Sequence, residues 1–211
     1  MKVTIEVYLA SELPEKIKAE VIDKYRAINI DFDDWYEFIV EEEVEKLKDL
    51  GVFPEKICFD LDSNYLYFQK VNIQLLNQSL LKTLATNGEW KTFAEYLSIA
   101  ALMGKAKNVG DYFYVSDTEW GKHGLTIDFS CDDEELQELF KLQGKEATLE
   151  QIDEFVKALG SELEEYLLEW ARNLLHQIRA EYESLLSDET VVETLDANEY
   201  HFTDDGTRIK V

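Results

Sequence analysis

The chain has 211 residues, of which 45 % are hydrophobic and 12 % aromatic, and its net charge is −24 from 45 acidic and 21 basic residues. The apolar content is enough for a packed core and argues against a disordered chain. The charge argues against direct binding to nucleic acid and to anionic membranes, because both require clustered Lys and Arg.

The first thirty residues predict a strand followed by a helix. Apolar and polar residues alternate over residues 3–9, which is typical of a half-buried strand. Ser11 is expected to cap a helix that runs to about Ile28, and Pro14 falls in its first turn, where a missing N–H is tolerated.

A second helix and a hairpin follow. The helix is expected near residues 35–50, with Phe38 on its apolar side and Gly51 as its C-cap. Residues 56–61 and 65–71 are predicted strands, and the polar residues between them are suited to a tight turn.

The middle of the chain predicts helices at residues 73–85 and 90–102. Residues 111–116 and 124–131 predict a second hairpin, whose longer connector contains Trp120. The order of hairpins and helical segments predicts an antiparallel arrangement of strands.

The longest predicted element is a helix over residues 148–186, where apolar residues recur at steps of three and four. Gly160 marks a position where it could bend. Ser187 or Asp188 is expected to cap a last short helix, and residues 199–211 predict a closing hairpin.

Together these elements predict an α+β fold in which an antiparallel sheet built from hairpins packs against several helices, including the long one. We expect a single domain over residues 1–211, with residues 132–197 as a helical subregion. No signal peptide or membrane span is recognised, so a cytoplasmic location is expected.

The negative charge is concentrated in two predicted helical regions. Residues 31–50, the first acidic block, contain nine acids and two bases, and residues 131–170, the second acidic block, contain thirteen acids and three bases. Carboxylates three or four residues apart on a helix lie about 5–6 Å from each other, so a helix face can imitate the phosphates of a nucleic acid. The alternative is that the charge only keeps the protein soluble.

The carboxylates expected to bind a partner in this way lie on the solvated faces of the two helices. They are Glu41, Glu42, Glu43, Glu45, Glu154, Glu162, Glu164, Glu165 and Glu169.

Other candidate sites have simpler explanations. Asp60, Asp62 and Asn64 resemble the opening of a calcium loop, but Tyr65 stands where that loop needs Gly, so a plain turn is favoured. His123, His176 and His201 have no metal-ligand spacing, and His176 is expected to be a structural histidine near the apolar face of its helix. Cys58 and Cys131 are expected to be buried, reduced thiols. No cofactor and no phosphate-binding loop are indicated.

Three stretches of the sequence share a resemblance. They are KYRAINIDFDDWY at residues 24–36, FDLDSNYLYF at residues 59–68 and ANEYHFTDDG at residues 197–206. Together they resemble a family of small acidic proteins encoded by phages and prophages, some of which are labelled antitoxin-like. The family usually has Gly-Tyr or a similar pair where this chain has Ser63-Asn64. The resemblance implies a mobile-element protein in a bacterial cell that binds a host protein.

We therefore expect a non-enzymatic protein that inhibits a host defence enzyme of the kind targeted by anti-CRISPR or anti-restriction proteins, by binding its basic nucleic-acid-binding surface. One alternative is an antitoxin-like or structural interaction module that uses an apolar patch, with Trp35 and Tyr36 or the Trp120 connector as anchors. The other is a metal-binding protein or enzyme at Asp60 and Asp62. The long helix could also pack against a second copy of the chain.

Overall fold

The computed structural model describes residues 6–32, 34–68, 71–73, 113–121, 124–131 and 149–210, some of them through the backbone alone. The fold is α+β, as predicted. In the described part, a 3₁₀ turn at Ala10–Glu12 precedes helices α1 (Glu15–Tyr25), α2 (Glu37–Asp49), α3 (Leu149–Leu185) and α4 (Asp188–Ala197). None of these helices combines the length and the apolar composition needed to cross a membrane.

The described strands form four antiparallel pairs. Their bounds are β1 (Val52–Pro54), β2 (Ile57–Asp60), β3 (Tyr65–Phe68), β4 (Val71–Ile73), β5 (Phe113–Gly121), β6 (Gly124–Cys131), β7 (His201–Phe202) and β8 (Arg208–Ile209). β1 pairs with β4, β2 with β3, β5 with β6 and β7 with β8. The predicted hairpins at β2–β3, β5–β6 and β7–β8 are confirmed, and the β1–β4 pair was not predicted.

The chain divides into two compact units. The first contains Met1–Ile39 and His176–Val211, and the second contains Val40–Leu175. The single domain over residues 1–211 and its helical subregion 132–197 stay predictions.

The first unit has a core around Phe202, which is fully buried together with Val191 and Leu195 of α4. Val21 and Ile22 of α1 complete this core with Ala10 and Leu13. Tyr25 packs edge-on against the Phe202 ring at a centroid distance of 6.0 Å. Burying these apolar side chains is the main favourable term in forming the unit.

Polar contacts join α1 to the end of α3. The Arg26 guanidinium donates to the carbonyl oxygen of Leu186 at 2.9 Å, and the Asn29 amide donates to that of Leu185 at 3.0 Å. Both acceptors are end-of-helix carbonyls that lack an intrahelical partner. The two side chains of the α1 region therefore cap the C-terminus of α3.

The apolar stripe of the long helix is confirmed. Leu163, Leu167 and Leu174 are fully buried in the second unit, at the helical spacing that the sequence predicted. Leu47 of α2 and Val52 of β1 are fully buried as well. Gly160 does not interrupt the helix, which runs unbroken for 37 residues.

Two helix starts differ from expectation. Ser11 does not cap α1, because it lies in the 3₁₀ turn, where its backbone N–H donates to the Asp196 carboxylate at 3.3 Å. Pro14 is the N-cap residue instead, and its carbonyl accepts the first helical hydrogen bond, from Lys18, at 2.9 Å. By contrast, Ser187 caps α4 as predicted, through a hydrogen bond from the Thr190 N–H at 3.3 Å.

Phe38 is exposed rather than inward-facing, with 75 % of its surface accessible. It lies nine residues before Leu47, the buried residue of α2, and at about 100° per residue this places it on the opposite side of the helix. Gly51, the predicted C-cap, adopts a left-handed φ of +85° and its N–H donates to the Lys48 carbonyl at 2.9 Å.

The connector predicted at residues 117–123 is mostly strand. β5 extends to Gly121, which pairs with Gly124, and Trp120 pairs with Leu125. Thr, Trp and Ile favour the extended backbone, so pairing continues until two residues remain between the strands. Trp120 is therefore a strand residue rather than part of a loop.

Several predictions fall on residues outside the description. These are the helix at residues 90–102, nearly all of the helix at 73–85, and the start of the strand at 3–9. Ile73 itself lies in β4. Tyr8 forms a single antiparallel bridge to Phe202.

Candidate acidic interface

The first acidic block places its four candidate glutamates on α2. Glu41, Glu42 and Glu45 are exposed, and Glu43 is half-buried. Positions three and four apart face each other on a helix, which brings lysines of the same helix next to these carboxylates.

Lysines neutralise part of this block. Lys46 Nζ lies 3.0 Å from Glu42 Oε1 and 2.7 Å from Glu43 Oε1. The hydrogen bonds to Glu43 and then to Glu42 raise the pKa of Lys46 above its ordinary value. Lys48 pairs with Glu45 at 2.6 Å. Ion pairs at the protein surface add little stability, so a stronger partner can replace them.

Glu41 differs from its neighbours, because it forms no ion pair with any residue that the structure describes. It lies four residues before Glu45 on the same helix face. Glu41 is therefore the most available of the four candidate glutamates on α2.

The second acidic block lies on α3. Glu165 and Glu169 are exposed one turn apart, and Glu164 is half-buried. Glu154 and Glu162 belong to the same helix, but their side chains lie outside the description. No Lys or Arg ion pair involves Glu165 or Glu169 within the described ranges.

Tyr166 links the two blocks. Its pKa is raised, first by burial of the phenol and then by the negative charges of Glu43 and Glu169. Coulombic effects weaken with distance, so a charge from each block acts on the same phenol. One glutamate from each block, distant in sequence, therefore contributes to one region of the second unit.

Sequence reasoning placed Tyr166 in the apolar stripe of the long helix and missed this position. The available signal was its immediate setting, because Tyr166 is flanked by Glu165 and is three residues from Glu169. A phenol on the edge of an apolar stripe suits the boundary between core and charged surface.

The aspartates of the β2–β3 hairpin form a turn. The Asp60 carboxylate accepts from the backbone N–H groups of Asp62 at 2.9 Å and Ser63 at 3.1 Å, and from the Ser63 hydroxyl. These bonds, led by the Ser63 hydroxyl, lower the pKa of Asp60. Asn64 adopts a left-handed φ of 53°, which Asn tolerates in turns. The geometry therefore favours the turn interpretation over a cation site.

The histidines and cysteines do not assemble into a site in the described part of the chain, where no group of three His, Cys, Asp or Glu could hold a metal. His176 is exposed rather than set in the apolar face. His201 Nδ1 lies 2.8 Å from the Glu199 carbonyl oxygen. Cys58 is a free, half-buried thiol. His123 and the Cys131 side chain lie outside the description.

The two aromatic residues proposed as anchors, Trp35 and Trp120, have different structural settings. Trp35 contacts Tyr36 edge-on at 5.3 Å and Tyr182 of α3 at 5.6 Å, so its ring is held in the first unit. Trp120 is carried by β5. The two candidate anchors are thus a packed ring and a strand residue.

Comparison with known protein families, with curated proteins and with solved structures found no match.

Proposed function

We propose that this is a non-enzymatic inhibitor that binds the basic, nucleic-acid-binding surface of a partner protein through carboxylates of α2 and α3. The observation that carries the proposal is that Glu41, Glu165 and Glu169 are exposed and have no ion pair within the described residues. The negative charges of Glu43 and Glu169, one from each acidic block, both raise the pKa of Tyr166, which supports a common region. Separate blocks that contribute to one region resemble a phosphate array more closely than one acidic helix does.

The exposed carboxylates supply the attraction. Glu41, Glu165 and Glu169 are exposed and have no ion pair within the residues described. A concentrated negative field speeds encounter with a basic groove and discriminates against acidic partners. Glu42, Glu43 and Glu45 would exchange Lys46 and Lys48 for the partner's own cations, at a small cost for each pair.

The partner class follows from the charge and from the resemblance. A protein with this net charge competes with nucleic acid for positively charged grooves rather than binding it. Because of the resemblance to phage-encoded acidic proteins, we expect the target to be a bacterial defence enzyme of the CRISPR or restriction type, and we expect the complex to form in the bacterial cytoplasm.

A matched pair of charge reversals tests the proposal. The test variant is Glu41→Lys, Glu45→Lys, Glu165→Lys and Glu169→Lys, which changes both helices. The control is Glu20→Lys, Glu183→Lys, Glu193→Lys and Glu199→Lys, four exposed positions of the first unit that give the same change in net charge. Circular dichroism establishes that both variants fold.

Each protein is immobilised and exposed to bacterial lysate at low and high salt, and bound proteins are identified by mass spectrometry. We expect a nucleic-acid-binding enzyme that is shed at high salt and displaced by duplex DNA, because exposed charges are screened. The test variant should no longer capture this enzyme, and the control variant should still capture it. Retention by the test variant would contradict the proposal.

A further inference from the structure

Residues 31–32 and 34–38, here called the aromatic segment, include exposed apolar rings of the first unit. Phe32 and Phe38 each have 75 % of their surface accessible. Val7, at 38 %, is the other large apolar side chain recorded as exposed in the described residues. Single exposed apolar residues are common, but two phenylalanines this close in sequence mark a candidate interface.

The same segment is fixed to the rest of its unit. The Trp35 ring packs against Tyr36 at 5.3 Å and against Tyr182 of α3 at 5.6 Å. Trp35 and Tyr36 are half-buried between the exposed Phe32 and Phe38. A held aromatic ring loses little freedom on binding, which favours its use as an interface residue.

Acidic residues flank these phenylalanines in the sequence. Asp31, Asp34 and Glu37 are exposed, and none has an ion pair within the described ranges. The sequence has no Lys or Arg between Arg26 and Lys46. The exposed phenylalanines therefore belong to a stretch of sequence whose charged residues are all negative.

We propose that the aromatic segment is a docking surface for a basic amphipathic polypeptide segment, whose apolar side chains cover Phe32 and Phe38 while its Lys or Arg pair with Asp31, Asp34 and Glu37. Apolar burial would supply affinity and the carboxylates would select the charge of the partner. Arg next to aromatic rings adds a cation–π attraction.

Charge complementarity selects this occupant over others. A second copy of the chain would bring the same acidic side chains together in a two-fold contact, which costs free energy. Anionic lipid and nucleic acid would be repelled in the same way. This inference goes beyond the proposed function, because it needs apolar side chains and uses residues of the other compact unit.

The test uses the full chain and three synthetic helical peptides. One has a Leu face and a Lys face, one has Ser in place of Leu, and one has Glu in place of Lys. Fluorescence anisotropy measures each Kd for the unaltered protein, for Phe32→Ser with Phe38→Ser, and for the control Val7→Ser. The replaced side chains are exposed, so the fold should be retained.

The readout is the ratio of Kd for the Ser/Lys peptide to Kd for the Leu/Lys peptide. It separates apolar docking from general attraction to an acidic protein. We expect a ratio of about 10 or more, which falls to about 1 in the double Phe variant and is retained in Val7→Ser. A third variant combines Asp31→Asn, Asp34→Asn and Glu37→Gln. It should weaken the binding of both Lys peptides several-fold and leave the ratio unchanged.

Four results would overturn the inference. They are a ratio near 1 in the unaltered protein, a ratio that survives loss of both phenylalanines, tighter binding of the Leu/Glu peptide, and a dimer or binding to neutral phosphatidylcholine vesicles that the double Phe variant abolishes. None depends on α2 residues 41–45 or on α3 residues 165–169. Failure here is therefore distinguishable from failure of the proposed inhibitor function.

Discussion

The carboxylates around the Phe202 core and those on the outer faces of α2 and α3 differ in what they bind. Asp196 accepts the Ala10 N–H at 2.8 Å, and Asp188 accepts from Arg26 at 2.8 Å, so both hold distant parts of the first unit together. Glu41 and Glu169 have no such partner among the described residues. Some carboxylates therefore hold the fold together, whereas others, such as Glu41 and Glu169, remain available to bind a partner.

The largest expected effect comes from emptying the core of the first unit. Phe202→Ala should lower the free energy of unfolding by about 3–5 kcal/mol, because a fully buried ring leaves a cavity. Phe38→Ala is the matched control and should change it by less than about 0.5 kcal/mol, since that ring is exposed. Urea denaturation measures both. Similar losses in the two variants would contradict their assigned burial.

Replacing a carboxylate that holds the fold together should lower stability less than replacing Phe202, but more than replacing a surface glutamate. Asp196→Ala removes the acceptor for the Ala10 and Ser11 N–H groups and should lower stability by about 1–3 kcal/mol. Amide hydrogen exchange at those two residues should accelerate. Glu193→Ala, an exposed position of the same helix, should change stability by less than about 0.5 kcal/mol. Unchanged exchange at Ala10 would disprove the bridging role.

One substitution in the first unit should be stabilising. The Tyr200 N–H donates to the Leu195 carbonyl at 2.9 Å and the Glu199 N–H to the Asp196 carbonyl at 3.0 Å, which closes α4 in a Schellman motif. Glu199 has a left-handed φ of 53°, which suits Gly better than Glu. Glu199→Gly should therefore raise stability by about 0.5–1 kcal/mol.

Glu193→Gly is the control for that change. It places Gly inside the same helix and should lower stability by about 0.5–1 kcal/mol. Thermal denaturation of both variants measures the difference. If Gly changed stability in the same direction at both positions, the left-handed backbone of Glu199 would not be the cause of its effect.

Local signals explain which parts of the fold were predictable. The stripe of α3 is a periodicity sustained over many turns, and the Ser187 cap and Gly51 stop depend on adjacent residues. Ser11 instead lies in a 3₁₀ turn and donates to Asp196, 185 residues away in sequence, and no local pattern predicts that contact. Phe38 was wrongly predicted to face inward, although nine residues at about 100° each place it opposite the buried Leu47 on the helix.

The candidate acidic interface also has features that local sequence predicts and features that it does not. The exposure of Glu41 and Glu165 follows from helical spacing, and so do the pairs that Lys46 makes three and four residues away. The effect of the Glu43 charge on the pKa of Tyr166 depends on packing between residues distant in sequence, which charge counting does not predict. Residue type and helix face were therefore predictable, while the convergence of the two blocks was not.

The smallest expected effect concerns pH and the last hairpin. The Thr203 hydroxyl donates to Asp205 Oδ1 at 2.5 Å and the Thr207 N–H donates to it at 3.0 Å. These bonds, led by that from Thr203, lower the pKa of Asp205 below its ordinary value. A carboxyl whose pKa is lower in the folded state stabilises the fold above its unfolded pKa, near 4, and loses that contribution as the pH falls through the folded value.

Asp205→Asn keeps an oxygen acceptor and removes the titration. The unaltered protein should be the more stable of the two at neutral pH, and the difference should shrink below about pH 4, as measured by urea unfolding across that range. Asp204→Asn, at the neighbouring turn position, removes a carboxylate that is not hydrogen-bonded to Thr203 or Thr207. The same pH dependence in both variants would mean that the turn responds to total charge, and the distinction between bonded and free carboxylates would then fail in this hairpin.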